Sequence, residues 1–214
     1  MPAPNVATEE KRIKSVPYKP ESPDSRIVKA GRALFFEHGF TRVSTDMIAK
    51  EASVSKATLY KYFPSMVEVL KAVTAVEAES FEAGTITDVN DIDELRDALV
   101  TYGTNLMRFL NDPEIIQFSQ MMFEEAREHP DIAAEFYNAA YGRGLRRLSS
   151  MFEQAIDKGF FEPSCTPTEV SEQLLGMWEG LPFTRALMGV TKRPFPRPKE
   201  WCEKCVDQFL SSSI

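Results

Sequence analysis

Hydrophobic residues recur along most of the chain at the spacing of amphipathic α-helices. After Pro23, for example, Ile27, Ala30 and Leu34 follow one another three or four positions apart, which places them on one face of a helix. The sequence has neither the sustained alternation of apolar and polar residues that marks a half-buried strand nor an Asn-Gly or Asp-Gly hairpin turn. This pattern predicts an all-α fold of about nine helices.

Capping residues and prolines mark where these helices begin and end. Ser22 followed by Pro23 is a favourable helix start, and Gly39 is expected to end the same helix. A long helix is predicted from about Pro64 to Glu82. Later starts are predicted at Asp91, at Asp112-Pro113, at His129-Pro130 and at Thr166, and the last helix is expected to follow the sequence RPFPRP. Pro182 is predicted to kink the helix that contains it.

Residues 45–63 have the features of a helix-turn-helix unit. Ile48 and Leu59 supply apolar side chains for a shared core, and Ala49 is small enough to let two helices cross closely. The sequence Ala-Ser-Val at 52–54 suits the bend between them. An amphipathic helical hairpin inside a bundle is the alternative, but it would need neither this bend nor an unpaired face of lysine and tyrosine.

The second helix of this unit presents small, hydroxyl and basic side chains on the face opposite its core. Lys56 is expected to donate to a guanine or a phosphate, and the methyl groups of Ala57 and Thr58 are expected to contact a thymine methyl. The tyrosines and Lys61 suit contacts with the DNA backbone, and Thr45 lies at a helix N-terminus that favours a phosphate. The predicted DNA-binding residues are Ser44, Thr45, Ser55, Lys56, Ala57, Thr58, Tyr60, Lys61 and Tyr62.

The run GFTRVSTDMIAKEASVSKATLYKYFPSMVEVLKAV, residues 39–73, strongly resembles the DNA-binding region of TetR/AcrR-family transcriptional regulators. Its matching elements are Gly39-Phe40, Ile48-Ala49, Val54-Ser55, Thr58-Leu59-Tyr60 and Phe63-Pro64-Ser65. The resemblance implies a three-helix DNA-binding head on a larger helical domain that binds a ligand and dimerises. We therefore expect a flexible arm at 1–21, a DNA-binding domain at 22–68 and an effector-binding and dimerisation domain at 69–214.

One position departs from the family pattern. Family members usually follow Phe-x-Ser with a lysine and an acidic residue, whereas Met66 and Val67 stand here. Because that lysine commonly reaches a phosphate, its loss predicts weaker and less salt-dependent DNA binding. The same departure leaves open a helical binding or carrier protein whose head no longer reads DNA, and it also allows the two apolar residues to pack internally.

Residues 95–187 are rich in methionine and aromatic side chains, most of which are expected to form the core. Such interiors also make adaptable apolar pockets, and the resemblance implies an effector cavity in this part of the chain. Four polar residues are candidates to orient a ligand, namely Asn105, Gln117, Tyr141 and Arg185. The full predicted lining is Asn105, Met107, Phe109, Gln117, Met121, Met122, Tyr137, Tyr141, Phe152, Trp178 and Arg185.

The last two helices carry apolar stripes that suggest an interface. Trp201, Cys205 and Phe209 are spaced four residues apart, and Leu174 lies on the stripe of the preceding helix. Two such helices can pair with their symmetry mates in a four-helix bundle, as members of the family do. The predicted dimer interface is Leu174, Trp201, Cys205 and Phe209.

Charge is distributed unevenly along the chain. Residues 1–75 contain 12 basic and 8 acidic residues, a net +4, and residues 76–214 contain 13 and 24, a net −11, within a total of −7. A basic head on an acidic body is typical of a DNA-binding protein with a separate module that does not face DNA.

Other functional classes find little support in the sequence. Enzyme motifs such as a P-loop or G-x-S-x-G do not occur. The sequence WCEKC at 201–205 imitates a redox motif, but it lies on an apolar stripe without strands, and two cysteines without a nearby histidine make a poor zinc site. We therefore expect no catalysis, metal or cofactor. The absence of a long apolar run and of a secretory signal predicts a cytoplasmic protein without a membrane partner.

Together these features predict a transcriptional regulator, a homodimeric repressor that binds a palindromic operator in double-stranded DNA and is released by a small, largely apolar effector.

Overall fold

The computed structural model of the protein describes residues 22–82 and 88–212, and within these ranges the chain is helical. The helices are α1 (Pro23–His38), α2 (Thr45–Glu51), α3 (Lys56–Tyr62), α4 (Met66–Glu82), α5 (Ile92–Phe109), α6 (Pro113–Glu125), α7 (Pro130–Asp157), α8 (Pro167–Leu187) and α9 (Pro198–Ser212). The all-α class is confirmed, with nine helices and no strand in the described ranges. The predicted arm at 1–21 lies outside them. None of the described helices has the length and apolar character of a membrane span.

Side-chain caps form at helix starts that the sequence predicted. The carboxylate of Asp91 accepts a hydrogen bond from the backbone N–H of Glu94 at 2.8 Å. At the start of α8, the N–H of Thr166 donates to Glu169 at 2.8 Å, and the N–H of Glu169 donates to the Thr166 hydroxyl at 3.3 Å. These bonds satisfy backbone donors that the first helical turn leaves free, which fixes where each helix begins.

Helices α1 to α3 close around a small apolar core, and together they form the head of the molecule. Ile27 and Phe35 of α1, Ile48 of α2 and Leu59 of α3 are each fully buried. Burying such a side chain contributes about 1.5–3 kcal/mol relative to leaving it in water. Ser53 takes a left-handed conformation, with φ of 52°, in the turn between α2 and α3.

Helix α4 joins the head to the rest of the chain, because it packs on α1 as well as on α5 and α7. Its contact with α1 is close, since a Cβ atom added at Gly31 would lie 2.7 Å from a methyl group of Val69. The helix begins two residues later than predicted, where the hydroxyl of Ser65 accepts a hydrogen bond from the N–H of Glu68 at 3.3 Å.

The body, α5 to α9, is built from two closely packed pairs, α5 with α9 and α7 with α8. Trp178 of α8 and Cys202 of α9 are fully buried. A Cβ atom at Gly103 of α5 would lie 2.5 Å from the Cys202 sulfur and 2.7 Å from the Trp178 ring. Glycine at this position therefore allows the three helices to meet.

Helix α8 is kinked at Gly180, where φ is 35° and ψ is −146°. Pro182 lies two residues further on and has no N–H to donate to the carbonyl of Trp178 four residues before it. That carbonyl instead accepts a hydrogen bond from the indole N–H of Trp201 on α9 at 3.1 Å. The predicted kink is thus present, and the carbonyl that it leaves without a helical hydrogen bond is bonded to α9 instead.

Candidate DNA-binding surface and ligand cavity

Serine side chains hold the start of both helices of the helix-turn-helix unit. The hydroxyl of Ser44 accepts a hydrogen bond from the N–H of Met47 at 3.3 Å, and that of Ser55 accepts one from the N–H of Thr58 at 3.0 Å. The hydroxyls of Ser55 and Thr58 also lie 2.8 Å apart. These caps fix the N-terminal ends of α2 and α3, which the sequence predicted to contact DNA.

Helix α3 presents an exposed basic and aromatic face. Lys56, Ala57, Tyr60, Lys61 and Tyr62 are all exposed. Tyr60 keeps 45% of its surface accessible, a large value for an aromatic residue within a helix. Thr45 and Thr58 are partly buried at the edges of this face. The unit therefore offers donors and apolar groups on one outward surface, and the DNA contacts assigned to them stay predictions.

The lysine at the start of α3 already has an acidic neighbour. Its Nζ atom lies 3.1 Å from a carboxylate oxygen of Asp46 on α2, and 51% of the Lys56 side chain is exposed. An exposed pair of this kind contributes little to stability and exchanges readily with other charges. A phosphate or a guanine can therefore compete for the Lys56 ammonium group.

Met66 and Val67, the departure from the family pattern, are partly buried and pack against the hydrophobic core at the start of α4. The two residues therefore contribute to the packing of the core.

One aromatic contact and one set of hydrogen bonds connect the head to α6. The ring of Phe36 in α1 stacks on that of Phe118 in α6, with centroids 4.4 Å apart and planes 4° apart. A carboxylate oxygen of Glu125 accepts hydrogen bonds from the N–H of Thr41 at 3.2 Å and from its hydroxyl at 3.0 Å. The loop before α2 is therefore attached directly to the body.

Arg32 of α1 makes a third connection. Its Nε lies 2.6 Å from a carboxylate oxygen of Glu77 on α4, and its Nη1 lies 3.1 Å from one of Glu114 on α6. The guanidinium group also stands 4.4 Å from the centre of the Phe36 ring. The hydrogen bond to Glu77 is the main cause that raises the pKa of Arg32.

A cavity of about 90 Å³ lies beside Glu77, between helices of the head and the body. Its wall is largely aliphatic and aromatic, and its polar residues include Thr74, Ser119 and the two carboxylates of Glu77 and Glu179. The lining residues are Phe36, Val73, Thr74, Glu77, Ala78, Tyr102, Leu106, Phe109, Leu110, Ile115, Phe118, Ser119, Phe136, Ala140, Tyr141, Gly144, Leu175 and Glu179. A small organic molecule with an apolar body suits this wall.

Glu179 is the unusual polar group of the cavity. No hydrogen bond or ion pair joins its carboxyl group to any residue in the described ranges, and burial raises its pKa to about 7. Burial is also the main cause that raises the pKa of Tyr102 and Tyr141, which lie on the same wall. The cavity therefore holds a carboxyl group that titrates near neutrality, beside phenols that remain protonated.

A wider groove of about 520 Å³ adjoins the cavity along α8. Tyr141, Leu175 and Glu179 line both spaces. The groove also reaches the kink, because Gly180 and Phe183 form part of its wall. Glu179 thus lies where the cavity meets the more open groove.

Two residues of the predicted effector pocket, Phe109 and Tyr141, line the cavity. Tyr137 lies outside it, in the adjoining groove, where its ring stacks on that of Tyr141 with centroids 5.5 Å apart. The predicted set did not include Glu77 and Glu179. The sequence did carry a signal for Glu179, since it follows Leu175 by four residues on the apolar side of α8.

The other predicted pocket residues lie away from the cavity wall. Four of the five apolar ones have their side chains in the core between helices, because each amphipathic helix of the body packs on more than one neighbour. Asn105 accepts a hydrogen bond from Arg108 at 3.4 Å, Met121 lies next to Gly39 of the head, and both Gln117 and Arg185 are exposed. The buried ones are Met107, Met122, Phe152 and Trp178.

The predicted interface residues mostly serve the core of a single chain. Leu174, Cys205 and Phe209 are buried among α5, α7, α8 and α9, whereas Trp201 remains 40% exposed. Burial of both cysteines raises the pKa of Cys202 to about 12 and also raises that of Cys205. The apolar stripes on α8 and α9 are therefore broad enough to pack internally and still leave some apolar surface outside.

Comparisons with known proteins agree with this architecture. A family profile described as bacterial regulatory proteins of the tetR family matches residues 27–73. A second, described as the C-terminal domain of AefR-like transcriptional repressors, matches residues 97–212, more than half of the chain. The two matches divide the chain into a DNA-binding head and a helical body.

Two of the relatives are described as transcriptional regulators. The chain is 32% identical over 143 residues to YdeS, an HTH-type transcriptional regulator of Bacillus subtilis, covering 65% of this chain and 67% of YdeS. It is 24% identical over 139 residues to the HTH-type transcriptional regulator SrpR of Pseudomonas putida, covering 65% and 63%. These alignments span about two thirds of either relative or less.

Among solved structures, the fold is similar to that of the flavonoid-responsive regulator FrrA, with a TM-score of 0.70 and 26% identity over 89% of this chain and 96% of FrrA. The family to which the sequence resemblance pointed is thus confirmed. The chain belongs to the TetR family of DNA-binding transcriptional regulators and has an AefR-like C-terminal domain.

Proposed function

We propose that the protein is a repressor that binds a palindromic operator as a homodimer and is released by a small, largely apolar effector. The observation that carries the proposal is the direct connection between cavity and head. Glu77 lines the cavity on one side and binds Arg32 of α1 at 2.6 Å on the other. A molecule that alters the cavity wall therefore acts on a contact that orients the DNA-binding helices.

In this proposal α3 enters the major groove, which is about 12 Å wide. Lys56 and the methyl groups of Ala57 and Thr58 contact base edges or a nearby phosphate. Tyr60, Lys61 and Tyr62 bind the DNA backbone, as does Thr45 at the start of α2. The serine caps Ser44 and Ser55 hold the two helices in place. Support comes from the exposure of the basic and aromatic face and from the serine hydrogen bonds that fix it.

The dimer is proposed to form through exposed apolar residues of α8, α9 and the segment between them. Leu181 is 71% exposed, and Met188, Val190 and Trp201 are exposed as well. Exposed large apolar residues of this kind favour a protein interface over contact with water. Pairing by two-fold symmetry places two heads at half-sites about 34–36 Å apart. The proposed division into head and body is 22–68 and 69–214.

Release follows from a shift between two arrangements of the head. If the effector prefers an arrangement in which α4 holds the heads at the wrong separation, the DNA-bound population falls. Moving such an equilibrium from 1:99 to 99:1 needs a preference of about 5.5 kcal/mol. A structural relative named as flavonoid-responsive supports a small organic molecule as the class of effector.

The competing proposal is a helical carrier with a degenerate head, and the packing of Met66 and Val67 weakens it. Because these residues contact the core, their departure from the family pattern has a structural reason other than loss of DNA binding. An enzymatic role is not proposed, since the matching family and the relatives YdeS and SrpR are described as regulators of transcription.

Selection from a random duplex library with the purified protein tests the proposal. A repressor of this kind enriches one palindrome whose half-sites lie about one helical turn apart. The Lys56→Ala variant, selected in parallel, should enrich that sequence weakly or not at all. Equal and unspecific recovery by both proteins would favour the carrier.

A further inference from the structure

The carboxyl group of Glu179 faces an apolar wall without a partner in the described ranges. Its neighbours in the cavity and the groove include Tyr141, Leu175 and Phe183. Glu179 is partly buried, and a carboxylate that loses part of its hydration is costly unless a positive charge or several donors compensate it. In the free protein that compensation is lacking, and the raised pKa of Glu179, about 7, is its consequence.

The rest of the wall narrows the kind of partner that this carboxyl group can accept. Lysine, arginine and histidine do not occur among the residues that line the cavity, and the second acidic residue, Glu77, already binds Arg32. Aromatic rings surround the space, including those of Phe109, Phe136 and Tyr141. Such rings attract organic cations through their negative faces, whereas an anionic ligand would meet two carboxylates and no basic residue of the wall.

We propose that the ligand of this cavity is a hydrophobic organic cation, whose positive charge is paired by Glu179 and packed among the aromatic rings. This inference rests on the proposed function, because it names the chemical class of the effector. The apolar body of the ligand occupies the cavity, and Glu179, at the junction with the groove, holds the charged group.

The pairing makes binding depend on pH in a defined direction. A cation stabilises the ionised carboxylate, so its affinity is greatest above the free pKa of about 7 and falls as Glu179 is protonated below it. For a ligand of fixed charge, affinity should decrease about tenfold from pH 8 to pH 6. The titratable groups around this site are Glu77 of α4, Tyr102 of α5, Tyr137 and Tyr141 of α7, and Glu172 of α8, and α6 adds none to the cavity wall. Tyr102 and Tyr141 stay protonated in this interval because burial raises the pKa of both.

Two probes of nearly identical shape test the proposal with the full-length protein in the absence of DNA. Benzyltrimethylammonium carries a permanent positive charge, and neopentylbenzene replaces its nitrogen with carbon. Equilibrium dialysis at pH 8 should give at least about tenfold tighter binding of the cation, a difference of about 1.4 kcal/mol. The Glu179→Gln variant should bind both probes alike. Glu153→Gln, a matched change at an exposed residue of α7 that lines neither the cavity nor the groove, should retain the preference.

Three results would overturn the proposal. The first is equal binding of the two probes by the wild-type protein, or binding of neither. The second is a preference for the cation that persists in Glu179→Gln. The third is tighter binding of a neutral phenol, 4-tert-butylphenol, than of the cation. That result would mean that Glu179 pairs with the hydroxyl group of a neutral ligand and not with a positive charge.

Thermal unfolding of Glu179→Gln distinguishes loss of the charge from loss of the fold. Glu179→Asp keeps the charge on a shorter side chain and should retain part of the preference for the cation. The dialysis contains no DNA, so it separates this inference from the proposed function. A protein that enriches a palindrome but ignores the cation would contradict the ligand class alone. One that binds the cation but enriches no DNA would contradict the repressor alone.

Discussion

Lys56, a proposed DNA contact, has an acidic neighbour in the preceding helix. Its ammonium group lies 3.1 Å from the Asp46 carboxylate while half of its side chain remains exposed. The acidic neighbour lies on α2 and the lysine at the start of α3, so the pair bridges the two helices. Binding then requires exchange of one ionic partner for another, and this costs little at an exposed site.

Replacing Lys56 with alanine should weaken operator binding by about 1–3 kcal/mol if the lysine contacts a guanine, with relaxed specificity at that position. If it binds a phosphate instead, the slope of log affinity against log salt should fall by about one unit. Tyr60→Phe should cost about 1 kcal/mol through loss of one hydrogen bond. Fluorescence anisotropy over a range of salt concentrations measures both variants.

The matched control is Lys204→Ala, which removes one exposed positive charge from α9, on the body. Its affinity should equal that of the wild type. Equal losses in Lys56→Ala and Lys204→Ala would mean that only the net charge matters and that α3 is not the recognition helix.

Among the helices, α4 has the central position because it contacts the head and also lines the cavity. Arg32, Glu77 and Glu114 join α1, α4 and α6 through one guanidinium group. Phe36 and Phe118 stack beside that group and line the same cavity. In the proposed mechanism, a change at Glu77 in the cavity wall would reach α1 through its contact with Arg32.

A double-mutant cycle at Arg32 and Glu77 measures this connection. Arg32→Ala and Glu77→Ala should each lower the free energy of unfolding, with a coupling of about 0.5–1 kcal/mol, because Arg32 keeps 36% of its side chain exposed to screening by solvent. Urea denaturation checks the cycle. Lys71→Ala, which breaks exposed pairs with Glu68 and Glu135, should have no measurable effect. Additive effects at Arg32 and Glu77 would argue against a link between cavity and head.

The kink in α8 offers a second pair of variants. Gly180→Ala should destabilise the protein by about 1–3 kcal/mol, because φ of 35° is strained for a residue with a Cβ atom. Gly176→Ala, one turn earlier in regular helix and with open space around it, should stabilise the protein by about 0.5–1 kcal/mol. Denaturation at a fixed protein concentration compares them, and destabilisation of equal size in both would contradict the assigned role of the kink.

Helix ends could be predicted from the sequence because capping is local. Ser44, Ser55 and Thr166 each bond to an N–H group three residues away, and short spacing of this kind is visible in the sequence. The cavity lining was harder to predict than the helix ends, because it depends on how helices far apart in sequence are rotated against each other. Trp178 and Phe109 have similar apolar surroundings in the sequence, but the first lies in the core and the second lines the cavity.

For the whole molecule, the proposed dimer raises the question of which apolar surface would join two chains. Cys205 and Phe209 pack inside one chain, so the sequence could not distinguish core from interface on a broad stripe. The surface left outside is formed by Leu181, Met188 and Val190 with Trp201. Leu181 directly follows the kink at Gly180, and Met188 and Val190 follow the end of α8. Gly180 and Leu187 of the same helix line the groove.

Changing Leu181 to glutamate should convert the dimer to a monomer at micromolar concentration, because a charge would be buried without a partner. Sedimentation equilibrium measures the mass. Val76→Glu on α4, where the replaced side chain is 50% exposed, serves as the control and should remain dimeric. A wild-type protein that is monomeric, or a Leu181→Glu variant that stays dimeric, would place the interface elsewhere or exclude it.

The spacing between half-sites tests the central proposal of a homodimeric repressor most directly. The measurement compares the affinity of the protein for its selected palindrome with that for a version carrying about five additional base pairs at the centre, half a helical turn. A rigid dimer that reads both half-sites should lose most of its affinity, falling to the level of a single half-site. Equal affinity for the two duplexes would contradict simultaneous recognition by paired heads.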